Sequence, residues 1–181
     1  YFKDIFGSQL KGFSDLTHLN VDVARLFINQ NNYKDNLFNE YLTTFINEPY
    51  NDMNNFNLAY EYEDTGQTAS AVSYYLRCAE LTKNTDLSYE SMLRISKCLS
   101  KQGNRENKEL TCIQHTISIN PNRPEAYYIL SLYHSFRNNW LESYMYACIG
   151  IQNINNEYKP LLKDIGYFNN YQLLFQKAYS G

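Results

Sequence analysis

The strongest constraint on this chain is a set of evenly spaced chain breaks. Gly66, Gly103 and Asn138 follow one another at 37 and 35 residues. Each lies between two stretches whose apolar residues recur at three and four, the period of an α-helix. Before Gly66 come Leu58, Ala59 and Tyr62; after it come Ala71, Tyr75, Cys78 and Leu81. Met92, Ile95, Ser96 and Leu99 precede Gly103. Tyr127, Leu130, Ser131 and His134 precede Asn138, and Trp140, Ser143, Ala147 and Gly150 follow it. Glycine and asparagine tolerate the left-handed backbone that ends a helix. Each unit therefore reads as two helices folded back on each other, with small residues where they cross. A self-similar period of this length marks a repeat array rather than a single globular core. The fold expected is all-α, a right-handed α-solenoid of antiparallel helix hairpins.

The rest of the sequence agrees. Pro49, Pro121, Pro124 and Pro160 fall between periodic stretches, as helix punctuation does. Aromatic residues make up 16% of the 181 positions, and 18 of them are tyrosine, which argues against a disordered chain. A net charge of −3 argues against nucleic acid as a partner, since that needs a basic patch or stripe. No apolar run approaches the roughly 18 residues of a membrane span. Cys78, Cys98, Cys112 and Cys148 form no CxxC pair and sit in amphipathic stretches, so they are expected to be reduced core thiols. With no N-x-S/T sequon present, a cytoplasmic location is the expectation.

The units resemble the tetratricopeptide repeat family. The residues that carry the likeness are Leu58, Ala59, Tyr62, Gly66, Ala71 and Tyr75, and the junction "SINPNRPEAYYIL" with Pro121 at the repeat end. Three hairpins are expected over residues 52–151. Residues 1–51 read as N-terminal helices, a degenerate earlier unit with Asn31-Asn32 as its turn. Residues 152–181 read as a connector and the first helix of a further, truncated unit. The middle unit departs from the pattern: Lys108 or Glu109 falls where a small residue belongs, and its second helix reads one residue too long.

Catalysis finds no support in the residues. GxSxG, HExxH, GxGxxG, P-loop and D-x-D patterns are all missing. In "EYED", Glu61 and Glu63 point to different helix faces, and the cluster reads as a solvated helix end. His134 reads as inter-helix packing, and Trp140 as an aromatic plug of its hairpin. The tyrosines Tyr74, Tyr75, Tyr127, Tyr128, Tyr144 and Tyr146 read as gap fillers between helices. No catalytic residue, metal or cofactor is expected.

Binding is the better reading. The family resemblance implies a concave face lined by the first helix of each unit, where a peptide or partner domain docks. It points to Asn57 and Tyr60 in the first unit, Arg94, Lys97 and Lys101 in the second, and Tyr128 in the third. Arg94, Lys97 and Lys101 share one helix face and form a basic stripe suited to an acidic peptide, a carboxylate or a phosphate. Phe56 and Tyr60 stand where the family's carboxylate-clamp variant needs polar residues, so clamp binding is not expected. A weaker resemblance, in "AYEYEDTGQTASAVSYYLRCAE", "RPEAYYILSLYH" and "FQKAYSG", is to the helical-repeat segments of phage and viral glycosyltransferases. It implies a repeat region that positions an acceptor while another domain transfers sugar. An apolar end on the last helix would favour end-to-end self-association.

Overall fold

The computed structural model describes residues 36–153, 160–167 and 171–181. Most of the stretch expected to form an N-terminal unit, including Asn31-Asn32, lies outside these residues. Eight helices run in order among them: α1 (Asn36–Asn47), α2 (Asp52–Asp64), α3 (Thr68–Leu81), α4 (Thr85–Gln102), α5 (Glu106–Ile119), α6 (Pro124–Ser135), α7 (Trp140–Gln152) and α8 (Tyr171–Ser180). Consecutive helices pack on one another, and no strand occurs among the described residues. The expected all-α helical-repeat solenoid is the observed architecture.

The helix ends follow from local chemistry. The Asn51 side chain accepts a hydrogen bond from the Asn54 amide at the start of α2. That of Asn84 accepts from the Asp86 and Leu87 amides at the start of α4. These side chains satisfy amides that the first helical turn leaves without partners. Pro124 opens α6, where its missing N–H costs nothing. All three expected turn residues hold a left-handed backbone: Gly66 at φ +78°, Gly103 at +67° and Asn138 at +59°.

The small-residue crossings are also present. Ala59 and Ala71 are fully buried between α2 and α3. Between α6 and α7, the Ser131 hydroxyl donates to the Ser143 carbonyl at 2.8 Å, and the Ser143 hydroxyl meets that of Ser180 in α8 at 2.7 Å. Gly150 lets α7 approach α6 and α8: a Cβ there would lie 2.9 Å from Tyr127 Cβ and 3.0 Å from the Leu173 methyls. The middle hairpin differs from expectation. Helix α5 has 14 residues, the same as α3, and the extra length sits in α4, with 18. Glu109 takes the fourth position of α5, equivalent to Ala71 and Ser143. Burial raises its pKa, and a hydrogen bond from Ser100 works against that rise.

The core runs through the stack. Leu42, Phe45, Phe56, Leu58, Tyr75, Met92, Ile95 and Leu99 join α1 to α4, and Tyr89, Leu93, Ile113, Ala126 and Leu130 continue it towards α6. Each of the leucine, isoleucine, methionine and phenylalanine side chains among them contributes about 1.5–3 kcal/mol on full burial. Tyr62 and Tyr74 stack with ring centroids 5.4 Å apart, and Phe56 meets Tyr75 edge-on at 5.5 Å. Cys78, Cys98 and Cys112 are buried and unpaired, and burial pushes their thiols up to about 12. His134 stacks on Tyr146 at 5.3 Å, a packing role as expected. Trp140 does not plug its hairpin. It is the first residue of α7, is 40% exposed and meets Tyr179 of α8 edge-on at 5.7 Å.

Candidate functional site

Helices α2, α4 and α6 are the first members of their hairpins and together present one face. Across it lies a non-helical segment of the same chain, residues 160–167. Its side chains alternate in burial. Leu161, Lys163 and Ile165 are half-buried and Tyr167 is buried, whereas Leu162, Asp164 and Gly166 are exposed. The alternation is carried on a bent backbone: residues 162, 163 and 166 are bends, and Gly166 holds φ +88°.

The segment is held chiefly by its backbone. Glu90 and Arg94 lie one turn apart on α4. Glu90 Oε2 accepts from the Leu162 amide at 2.7 Å, and its Oε1 from the Lys163 amide at 3.0 Å. Arg94 Nη2 donates to the carbonyls of Lys163 at 2.8 Å and Asp164 at 3.2 Å. Leu161 and Ile165 pack on the apolar cluster of Tyr89, Leu93 and Leu130. Lys163 Nζ sits 4.6 Å above the Tyr60 ring, and Tyr167 lies against Tyr128 with centroids 5.4 Å apart.

Arg94 is fully buried, so it needs paired charges. Its Nε reaches Glu90 Oε1 at 3.1 Å and its Nη1 reaches Glu63 Oε2 at 3.0 Å. The guanidinium also lies 5.0 Å from the centre of the Tyr60 ring. Glu63 accepts from the Tyr75 hydroxyl at 2.8 Å and pairs with Lys97 at 3.4 Å. Burial alone would raise the Glu63 carboxyl. The Arg94 charge, hydrogen bonds from Tyr75 and Arg94, and the Lys97 charge outweigh it, and the net pKa is lowered. Burial likewise works against charged Arg94, but Tyr75, Glu63 and Glu90 raise its pKa.

Two readings of the sequence are corrected here. Glu63 is not part of a solvated helix end; it is 5% exposed because the Arg94 guanidinium and the Tyr75 hydroxyl draw it inward. The basic stripe is not a continuous surface either. Arg94 points into the protein, Lys97 is half-buried against Glu63, and only Lys101 is exposed. Asn57, Tyr60 and Tyr128 are all half-buried. The structure brings Tyr60, Arg94 and Tyr128 together around residues 160–167. Glu90 was missed from the sequence, although its spacing from Arg94 and the alternation Leu161-x-Lys163-x-Ile165-x-Tyr167 were both visible there.

A second buried charge group ties α4 to α6. Arg123 Nη2 meets Glu125 Oε1 at 2.6 Å, and its Nη1 meets Asp86 Oδ1 at 3.2 Å. The Tyr89 hydroxyl donates to Glu125 at 3.3 Å and accepts from the Ala126 amide at 3.0 Å. Among the described residues, no cluster of three or more His, Cys, Asp or Glu is arranged to hold a metal, and no helix is long and apolar enough to cross a membrane.

The fold and this face define a helical-repeat protein built from stacked hairpins. Residues 54–85, which span α2 and α3, match the family model of the tetratricopeptide repeat. That span is similar to a tetratricopeptide repeat, and repeats of this family generally mediate protein–protein interaction. No curated protein matches the chain, so that comparison supports neither a specific partner nor the glycosyltransferase resemblance.

Proposed function

We propose that this chain is a non-catalytic scaffold that binds a peptide or partner segment across the face of α2, α4 and α6. One observation carries the reading. Glu90 and Arg94 already hold a non-helical stretch of polypeptide on that face by its amides and carbonyls. Asn57, Tyr60, Arg94 and Tyr128 form the central part of the binding surface. Lys97 and Lys101, one turn apart on α4, extend it and favour a partner with acidic side chains. The four unpaired cysteines fit a reducing compartment such as the cytoplasm.

The test is selection of a displayed peptide library on the chain and on a Lys97→Gln/Lys101→Glu variant, which removes the exposed charge without setting a carboxylate against buried Glu63. Arg94 is left untouched, since reversing a buried charge would unfold the protein. Acid-containing peptides should be enriched on the parent and lost from the variant. Equal enrichment on both would sink the proposed role of the lysines in selecting the partner.

A further inference from the structure

We infer that residues 160–167 are a built-in competitor: a tethered segment that fills the backbone-reading positions of the face and gives way to a partner segment of the same side-chain pattern. This rests on the reading above that the face binds peptide. The covered residues give the partner's chemistry. At alternate positions it presents an apolar residue, a cation, an apolar residue and an aromatic, in the places of Leu161, Lys163, Ile165 and Tyr167. The first and third rest on the Leu93–Leu130 cluster, the cation on the Tyr60 ring and the aromatic against Tyr128.

Three features make the segment exchangeable. Its four bonds to Glu90 and Arg94 use backbone groups, which any other peptide also carries. It has no helix of its own, and one of its internal bonds is only the short turn from the Gly166 amide to Asp164 Oδ1. Leaving the site empty is costly. Vacating it would exchange the Arg94 Nη2 bonds to two carbonyls and the Glu90 bonds to two amides for bonds to water, and would expose the apolar seat of Leu161 and Ile165. Replacement of one backbone by another avoids that cost. Attachment to α7 on one side and α8 on the other gives the segment an effective concentration on the order of millimolar. A free peptide must overcome that advantage.

The probe is a fluorescein-labelled peptide of sequence PLLKDIGY, identical to residues 160–167. Its binding is followed by anisotropy on the parent chain and on a Leu161→Ser/Ile165→Ser variant, which weakens the internal segment and leaves the helices unaltered. Apparent affinity falls with the fraction of molecules whose site is open, so the variant should bind at least about tenfold more tightly. A peptide N-methylated at the positions of Leu162 and Lys163 lacks the two donors and should not bind. Equal affinity for both chains, or no binding to a folded variant, overturns the inference.

A second measurement needs no variant. Hydrogen exchange on the parent should show the Leu162 and Lys163 amides opening while the amides of α4 stay protected. Exchange only in step with α4 would make the segment a fixed part of the fold and overturn the inference. The library selection separates the two ideas. Peptides enriched equally on parent and released variant leave the binding face standing and remove the competitor. A library that enriches nothing on either chain removes the binding face itself.

Discussion

The two buried charge groups are built from the same materials and do different things. Both centre on an arginine with at least two carboxylates and a tyrosine hydroxyl, and both draw on α4. Arg123 directs Nε, Nη1 and Nη2 to carboxylate oxygens of Glu125 and Asp86, within the junction between two hairpins. Arg94 directs Nε and Nη1 to Glu90 and Glu63 but Nη2 to carbonyls about 70 positions further along the chain. The first group locks neighbouring units together. The second leaves donor and acceptor capacity pointing outward from the scaffold, and a separate segment takes it up. Among the described residues, what sets the second group apart is that Arg94 Nη2 and Glu90 also reach a separate segment.

The largest test of this contrast is to remove each arginine. Arg94→Met leaves Glu90 buried without the Arg94 cation and Glu63 with Lys97 alone, and Arg123→Met removes the Arg123 cation from buried Glu125. Each should lower unfolding free energy by about 3–5 kcal/mol in urea titrations. Only Arg94→Met should also expose the 160–167 amides to hydrogen exchange in the molecules that remain folded. If Arg123→Met exposes them equally, the two groups are one cooperative unit.

Acid titration comes next. The folded pKa of Glu63 lies below its unfolded value, so between the two the unfolded chain binds more protons. The Glu63 contribution is therefore fully present above the unfolded pKa, about 4.3 for a glutamate, and is lost as pH falls through the folded value. Urea midpoints at pH 7 and pH 3 should differ by less in Glu63→Gln than in the parent. An unchanged difference would show that Glu63 is not the group responsible.

A milder change is Leu162→Pro, which deletes the amide that donates to Glu90 Oε2 while altering an exposed side chain. Loss of one bond to a buried carboxylate should cost about 1–3 kcal/mol. The effect should appear as proteolysis within 160–167, with helical circular dichroism retained. The smallest effect is expected from Lys163→Ala, which removes the cation over Tyr60 and should cost about 0.5–1 kcal/mol of segment docking. Read by exchange at the Lys163 amide, a change larger than that of Leu162→Pro would shift the weight of docking from backbone to side chain.

The repeat frame was legible because it is written locally. Gly66, Gly103 and Asn138 announce their turns, and Ala59 with Ala71 and Ser131 with Ser143 announce their crossings, all within one hairpin of each other. The site was less legible because its contacts are not local. Arg94 looks like a member of a surface stripe from its three- and four-residue spacing to Lys97 and Lys101. Its burial depends on Glu63, 31 residues before it, and on carbonyls 69 and 70 residues after it. Helical periodicity carries no information at those separations. Glu109 shows the same limit from the other side: a charged residue occupies a small-residue position, and its tolerance depends on Ser100 of the neighbouring helix.

The backbone grip on residues 160–167 also bears on how this protein can change over generations. Amides and carbonyls are common to nearly every residue, so substitutions at the outward position Leu162 leave Glu90 and Arg94 with the same partners, proline excepted, whereas Asp164 also holds the Gly166 amide. The outer edge of the segment is thus free to drift at Leu162 while its seat stays conserved in form. A lineage could retune how readily the segment yields, or give its outer edge a new role, without altering a single helix of the scaffold.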